Sequence, residues 1–97
     1  ARPAKSSYGK VSAESVGTPE IHLRGMTADE AVEALDRFLD RAVVGGTRQV
    51  YVIHGKGTGT LRRSISEYLK KHRDVAGIRL GDWNEGGAGV TIVTLKS

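Results

Sequence analysis

The sequence predicts an α/β two-layer sandwich of order β-α-β-α-β-β, with two helices packed on one face of a four-stranded mixed sheet. Two short segments with β composition, Glu20–Arg24 and Gln49–His54, are each followed by a stretch of helical apolar spacing. Two further β-type segments, Ile78–Leu80 and Val90–Leu95, close the chain with only a short glycine-rich connection between them, so they should pair antiparallel. Right-handed β-α-β crossovers then place both helices on the same side.

In the first strand apolar residues alternate with polar ones, so Ile21 and Leu23 face the core while His22 and Arg24 share the other face. Gly25 ends it. Thr27-Ala28-Asp29-Glu30 reads as a capping box, in which the Thr27 hydroxyl and the Glu30 carboxylate each satisfy a free backbone N–H. Ala28, Val32, Leu35, Leu39 and Ala42 or Val43 follow at helical spacing, and Gly45-Gly46 supplies the stop. The second strand is rich in β-branched and aromatic residues. The second helix should run from about Gly59 to His72, burying Leu61, Ile65 and Leu69. Gly81–Gly89 reads as a flexible connection, with Asp82 and Glu85 in it as carboxylates of undetermined reach.

Ahead of the first strand, residues 1 to 19 are polar, small-residue-rich and without apolar periodicity, the composition of a flexible linker or arm. The ordered domain is expected over residues 20 to 97. The chain opens on Ala1 rather than methionine, which leads us to expect a piece of a longer protein. Having no cysteine, it can build neither a disulfide framework nor a thiolate zinc site. It has no apolar run long enough to span a bilayer and no signal-peptide pattern, which fits the cytoplasm and gives no reason to expect a membrane partner.

The net charge of +4 is unevenly spread. Residues 27 to 45 carry five carboxylates against two arginines, a net −3, whereas residues 48 to 73 carry seven lysines and arginines against Glu67, a net +6. One basic side favours a polyanion, most commonly nucleic acid. A solvated basic helix face is the simpler alternative.

The densest chemical signal lies between the second strand and second helix, in Ile53-His54-Gly55-Lys56-Gly57-Thr58-Gly59-Thr60-Leu61-Arg62-Arg63. Glycines at Gly55, Gly57 and Gly59 let an anion approach the backbone, and the helix N-terminus points N–H groups and partial positive charge at the same spot. Lys56, Arg62 and Arg63 add full charges. Neither common nucleotide-loop template fits: the lysine is misplaced for a Walker A loop, and G-x-G-x-G is one residue short of the dinucleotide fingerprint. A phosphate site of another kind is expected, the alternative being a tight turn that merely needs glycines.

Parallel pairing of the first two strands would bring Arg24 and His54 to one edge, where α/β sheets usually bind ligands. Arg24, His54, Lys56 and the second helix N-terminus should therefore converge. For phosphodiester cleavage, Lys56, Arg62, Arg24 and the loop amides could stabilise charge on phosphorus, and His54 or His22 could act as acid or base. His54 could equally be structural, bonding the loop backbone. No carboxylate pair is placed for two-metal catalysis. Mg²⁺ or Mn²⁺ remains a candidate cofactor with no ligand set assigned. Trp83, the only tryptophan, could stack on an unpaired base or cap the core.

Ile21-His22-Leu23-Arg24-Gly25 and Ile53-His54-Gly55-Lys56-Gly57-Thr58-Gly59-Thr60-Leu61-Arg62 resemble the two signatures of the Smr (small MutS-related) domain, and Gly86-Gly87-Ala88-Gly89-Val90-Thr91 resembles its third. The resemblance covers residues 20 to 97 and implies the same two-layer sandwich. It also implies nucleic-acid binding, often with endonuclease activity that nicks DNA or cleaves RNA. This variant is similar to the C-terminal domain of bacterial MutS-like ATPases that lack the mismatch-recognition domain. That likeness implies an attached ATPase region, which could dimerise, and a role on branched DNA in suppressing recombination or in ribosome rescue. The family's first motif usually carries an aspartate where this chain has His22. An imidazole there could still act as a base or ligate a transition metal.

Overall fold

The computed structural model describes residues 18–57 and 59–96. The arm expected over residues 1 to 19 lies outside them except for Thr18 and Pro19, as does Thr58 of the glycine loop. Four strands and two helices follow in the order β1 (Glu20–His22), α1 (Ala28–Val44), β2 (Gln49–Ile53), α2 (Thr60–Lys71), β3 (Val75–Leu80) and β4 (Val90–Leu95). The sheet order is β1-β2-β4-β3. β1 and β2 are parallel, and β4 runs antiparallel to both β2 and β3. The expected two helices and four-stranded mixed sheet are present.

The register sorts the side chains. Ile21 pairs with Val52 and Val50 with Val93, so these residues face one side. There they meet Ala31, Leu35, Leu39 and Ala42 of α1 and Ile65 and Leu69 of α2 in one core, to which Leu23 and Leu95 also belong. Both helices thus cover the same face of the sheet. Tyr68 adds a polar tie between them, its hydroxyl donating to Asp36 Oδ1 at 2.6 Å.

The α1 capping box is present, with Thr27 N–H donating to Glu30 Oε1 at 3.0 Å and Glu30 N–H to Thr27 Oγ1 at 3.2 Å. The buried stripe of α1 differs from the expected one: Ala31 is buried, Val32 only half-buried and Val43 exposed. A 3.6-residue repeat admits either neighbour at the edge of the stripe, and the approach of α2 selects the side. β1 is shorter than expected, ending at His22, although Leu23 N–H still donates to Ile53 O at 2.8 Å. β3 is longer, starting at Val75 with a register shift before Gly77, a bulge that hid its alternation.

Gly81–Gly89 is not the flexible connection its composition suggested. It forms two short 3-10 turns, Trp83–Glu85 and Gly87–Gly89. Asp82 N–H donates to Glu85 Oε1 at 2.9 Å, and the Arg79 guanidinium holds both Glu85 oxygens at 2.9 and 3.1 Å. The Arg79 bond and then the Asp82 N–H pull the Glu85 pKa down to about 2. The outer face of the sheet is correspondingly less open than its first strand implied: Ile92, in the same cross-strand row as Tyr51 and Arg79, is 1% exposed. No helix among the described residues is long and apolar enough to cross a membrane.

Candidate nucleic-acid interface

Because β1 and β2 are parallel, Arg24-Gly25 and His54-Gly55 leave the sheet on one edge. Two backbone bonds pin the second exit: His54 N–H and Gly55 N–H both donate to Gly89 O, at 3.0 and 2.9 Å. Gly55 adopts φ +81°, and a Cβ there would sit 2.9 Å from Cγ and Cδ of Arg24. Glycine is needed twice over, for the left-handed backbone and for the Arg24 stem lying against it.

His54 continues the core-facing parity of Val50 and Val52 and is 4% exposed. Its Nδ1 lies 2.8 Å from Gly55 O and its Nε2 2.8 Å from Thr91 Oγ1. A carbonyl only accepts, so Nδ1 carries the proton; in the neutral ring Nε2 then accepts from the Thr91 hydroxyl. Burial pushes the His54 pKa down, the Gly55 carbonyl partly opposes this, and the Arg62 charge lowers it further. His54 is therefore a neutral, fully bonded imidazole that fixes the start of the glycine loop. Thr91, which supplies half of that arrangement, was missed from sequence. Its signal was a hydroxyl in the same alternating row of the strand as the apolar Val93 and Leu95, whereas Thr94 falls in the other row.

Beyond His54 the loop opens into a cleft of about 370 Å³. One wall is Gly25–Ala28, at the start of α1; the other is the loop and Gly59–Arg62, at the start of α2. Both helices thus aim their N-termini at it. That of α1 is closed by its own capping box, but α2 begins on Gly59 at φ 87° with no side-chain cap. Arg62 comes back over Gly59, its guanidinium 3.6 Å from where a Cβ would lie. Fixed dipole, loop backbone and cationic side chains converge on a space suited to an oxyanion.

Lys56 and Gly57 are exposed and line both this cleft and a wider groove of about 790 Å³ on the outer sheet face. Arg24 and His22 lie in that groove, with His22 Nε2 3.0 Å from Glu20 Oε2. The structure therefore brings Arg24, His54, Lys56, Gly55, Gly57, Gly59 and Arg62 to one edge, with His22 beside them. Arg63 is exposed and lines neither cavity. Trp83 does not cap the core, being 91% exposed on its 3-10 turn. Asp82 stays outside both cavities, and Glu85 reaches the groove already paired with Arg79.

A divalent cation held by the protein does not fit this donor set. The charged side chains lining the cleft are cationic, and among the described residues no three His, Asp or Glu side chains cluster as ligands.

Fold and cleft together define a class: a two-layer α/β domain with a cationic, glycine-lined cleft at the C-terminal edge of its parallel strands. Within that class the Smr domain model matches residues 21–96, and the chain belongs to the Smr family. It is 57% identical over 77 residues to endonuclease MutS2 of Clostridium tetani, covering 79% of this chain and 10% of that protein. Endonuclease MutS2 of Clostridium perfringens is 53% identical over 78 residues, covering 80% of this chain and again 10% of the relative. The chain thus spans about a tenth of the length of the curated relatives it matches. The crystal structure of the Smr domain of Thermus thermophilus MutS2 superposes with a TM-score of 0.81 at 39% identity, over 82% of this chain and all of that one. YdaL, a stand-alone small MutS-related protein from Escherichia coli, gives 0.77 at 25% identity, over 80% of this chain and 64% of its own.

Proposed function

We propose that this domain binds a nucleic-acid phosphodiester in the cleft and nicks it, serving a MutS-like protein as a DNA endonuclease on branched DNA. The proposal is carried by the cationic edge on which Lys56, Arg62 and the α2 N-terminus meet at the cleft, with Arg24 in the adjoining groove that Lys56 also lines. The endonuclease relatives support the chemistry.

Hydrolysis adds a water oxygen to phosphorus, breaks one P–O bond and delivers a proton to the leaving oxygen. Arg24, Lys56 and Arg62 would stabilise the negative charge that builds on the phosphoryl oxygens, where removing one preorganised donor typically costs about 10²–10³ in rate. His54 is ill-suited to move the proton, with both ring nitrogens engaged and the ring buried. His22 suits it better: it is exposed in the groove, one nitrogen rests on Glu20, and Nδ1 is left to exchange a proton. His54 is then a positioning residue.

One observation favours a second reading. The saturated His54 is what a non-catalytic module would also show, one that delivers an attached ATPase to nucleic acid or to a ribosome. A plasmid-relaxation assay separates the two. The domain should convert supercoiled to open-circular DNA, with the activity lost in Lys56→Ala and His22→Ala, and parallel Mg²⁺, Mn²⁺ and EDTA lanes reporting any metal requirement. Gel-shift binding without nicking would favour the module and direct the search to RNA and ribosomes. Neither binding nor nicking would sink both readings.

A further inference from the structure

We infer that Trp83 and the outer groove seat an unpaired nucleobase, so that the substrate is nucleic acid with a single-stranded segment; this rests on the cleft being a phosphodiester site. An indole exposed to 91% on a polar, glycine-flanked turn contributes little to the core. Its support is nevertheless rigid. The 3-10 turn that carries it is closed by Asp82 N–H to Glu85 Oε1 and by Glu85 N–H and Gly87 N–H, both donating to Asp82 O. Arg79 ties the same turn to the sheet through two hydrogen bonds.

The position of the turn names the occupant. Asn84, Glu85 and Gly86, the three residues after Trp83, line the same groove as Arg24 and Lys56. A strand with a phosphate at Lys56 could therefore run along the groove toward the indole. Asn84 offers both a donor and an acceptor to a base edge. Arg79 neutralises Glu85, removing a charge that would repel the backbone. Aromatic stacking requires an accessible base face, which an intact duplex hides and a single strand offers.

Trp83 is the only tryptophan, so fluorescence excited selectively in tryptophan, away from the three tyrosines, reports this position alone. Titration with a short oligothymidylate should quench it saturably, whereas a blunt duplex should bind without comparable quenching. Trp83→Ala should weaken single-strand affinity by about 5- to 100-fold and leave duplex affinity unchanged. Trp83→Phe should retain part of the single-strand affinity. Unquenched emission at saturation, together with equal single-strand affinity in Trp83→Ala, would overturn the inference while leaving the cleft proposal standing. Absence of binding to either oligonucleotide would remove the cleft proposal and the inference with it.

Discussion

Replacing Lys56 by alanine is expected to slow nicking by about 10²-fold or more without lowering the melting temperature. Lys56 is exposed, contributes nothing to the core, and follows a glycine whose conformation does not depend on the lysine side chain. Its removal leaves the His54 bonds and the Gly89 anchors in place. What is lost is a full positive charge on the rim shared by the cleft and the outer groove. Nicking rate, with circular dichroism melting as the control for folding, tests this. Unchanged nicking would move the reacting phosphate away from the glycine loop.

His54→Ala should act in the opposite way, on stability first. Removing the imidazole leaves the Gly55 carbonyl and the Thr91 hydroxyl without their partner, and opens a cavity at the end of the sheet, where His54 is buried. An unsatisfied buried group such as the Thr91 hydroxyl costs about 1–3 kcal/mol, and the half-buried Gly55 carbonyl and the lost packing add to it, so a loss of about 3 kcal/mol overall is expected from urea denaturation. That is a large share of the roughly 5–15 kcal/mol that holds a domain together. Proton linkage gives a second signature. The folded-state pKa of His54 lies below its ordinary 6.5, so the unfolded chain takes up the proton first as pH falls. The stability contributed by neutral His54 is complete above pH 6.5 and is lost progressively below it, toward the lowered folded value. Denaturation at neutral and mildly acidic pH should show this slope in the wild type and a shallower one in His54→Ala. An unchanged slope would mean that His54 is not held neutral.

Much of this architecture was legible because local signals agreed with one another. The Thr27/Glu30 capping box, the Gly45-Gly46 stop and the β composition of Val90–Leu95 each fixed an element that the structure contains. The site edge was legible too, since a parallel β1-β2 pair necessarily brings Arg24 and Gly55 together. What escaped was long-range. The partner of His54 is Thr91, 37 residues away, and only the β2-β4 register places them side by side. The order of Gly81–Gly89 escaped for another reason: four glycines suggested mobility, while the stabilising Arg79–Glu85 pair spans six residues that no helical or strand period links. The Asp82-x-x-Glu85 spacing was the one local clue. Trp83 was ambiguous for a related reason: composition alone does not say which way a turn residue points, and the turn faces it outward.

Whether the glycine-loop edge binds a phosphodiester is read from the salt dependence of binding. Fluorescence anisotropy of a labelled blunt duplex should give a log-affinity that falls linearly with log salt. The slope should be shallower in Lys56→Ala by about 0.9, the value for one lost phosphate contact. Salt-insensitive binding, or the same slope in both proteins, would contradict the assignment.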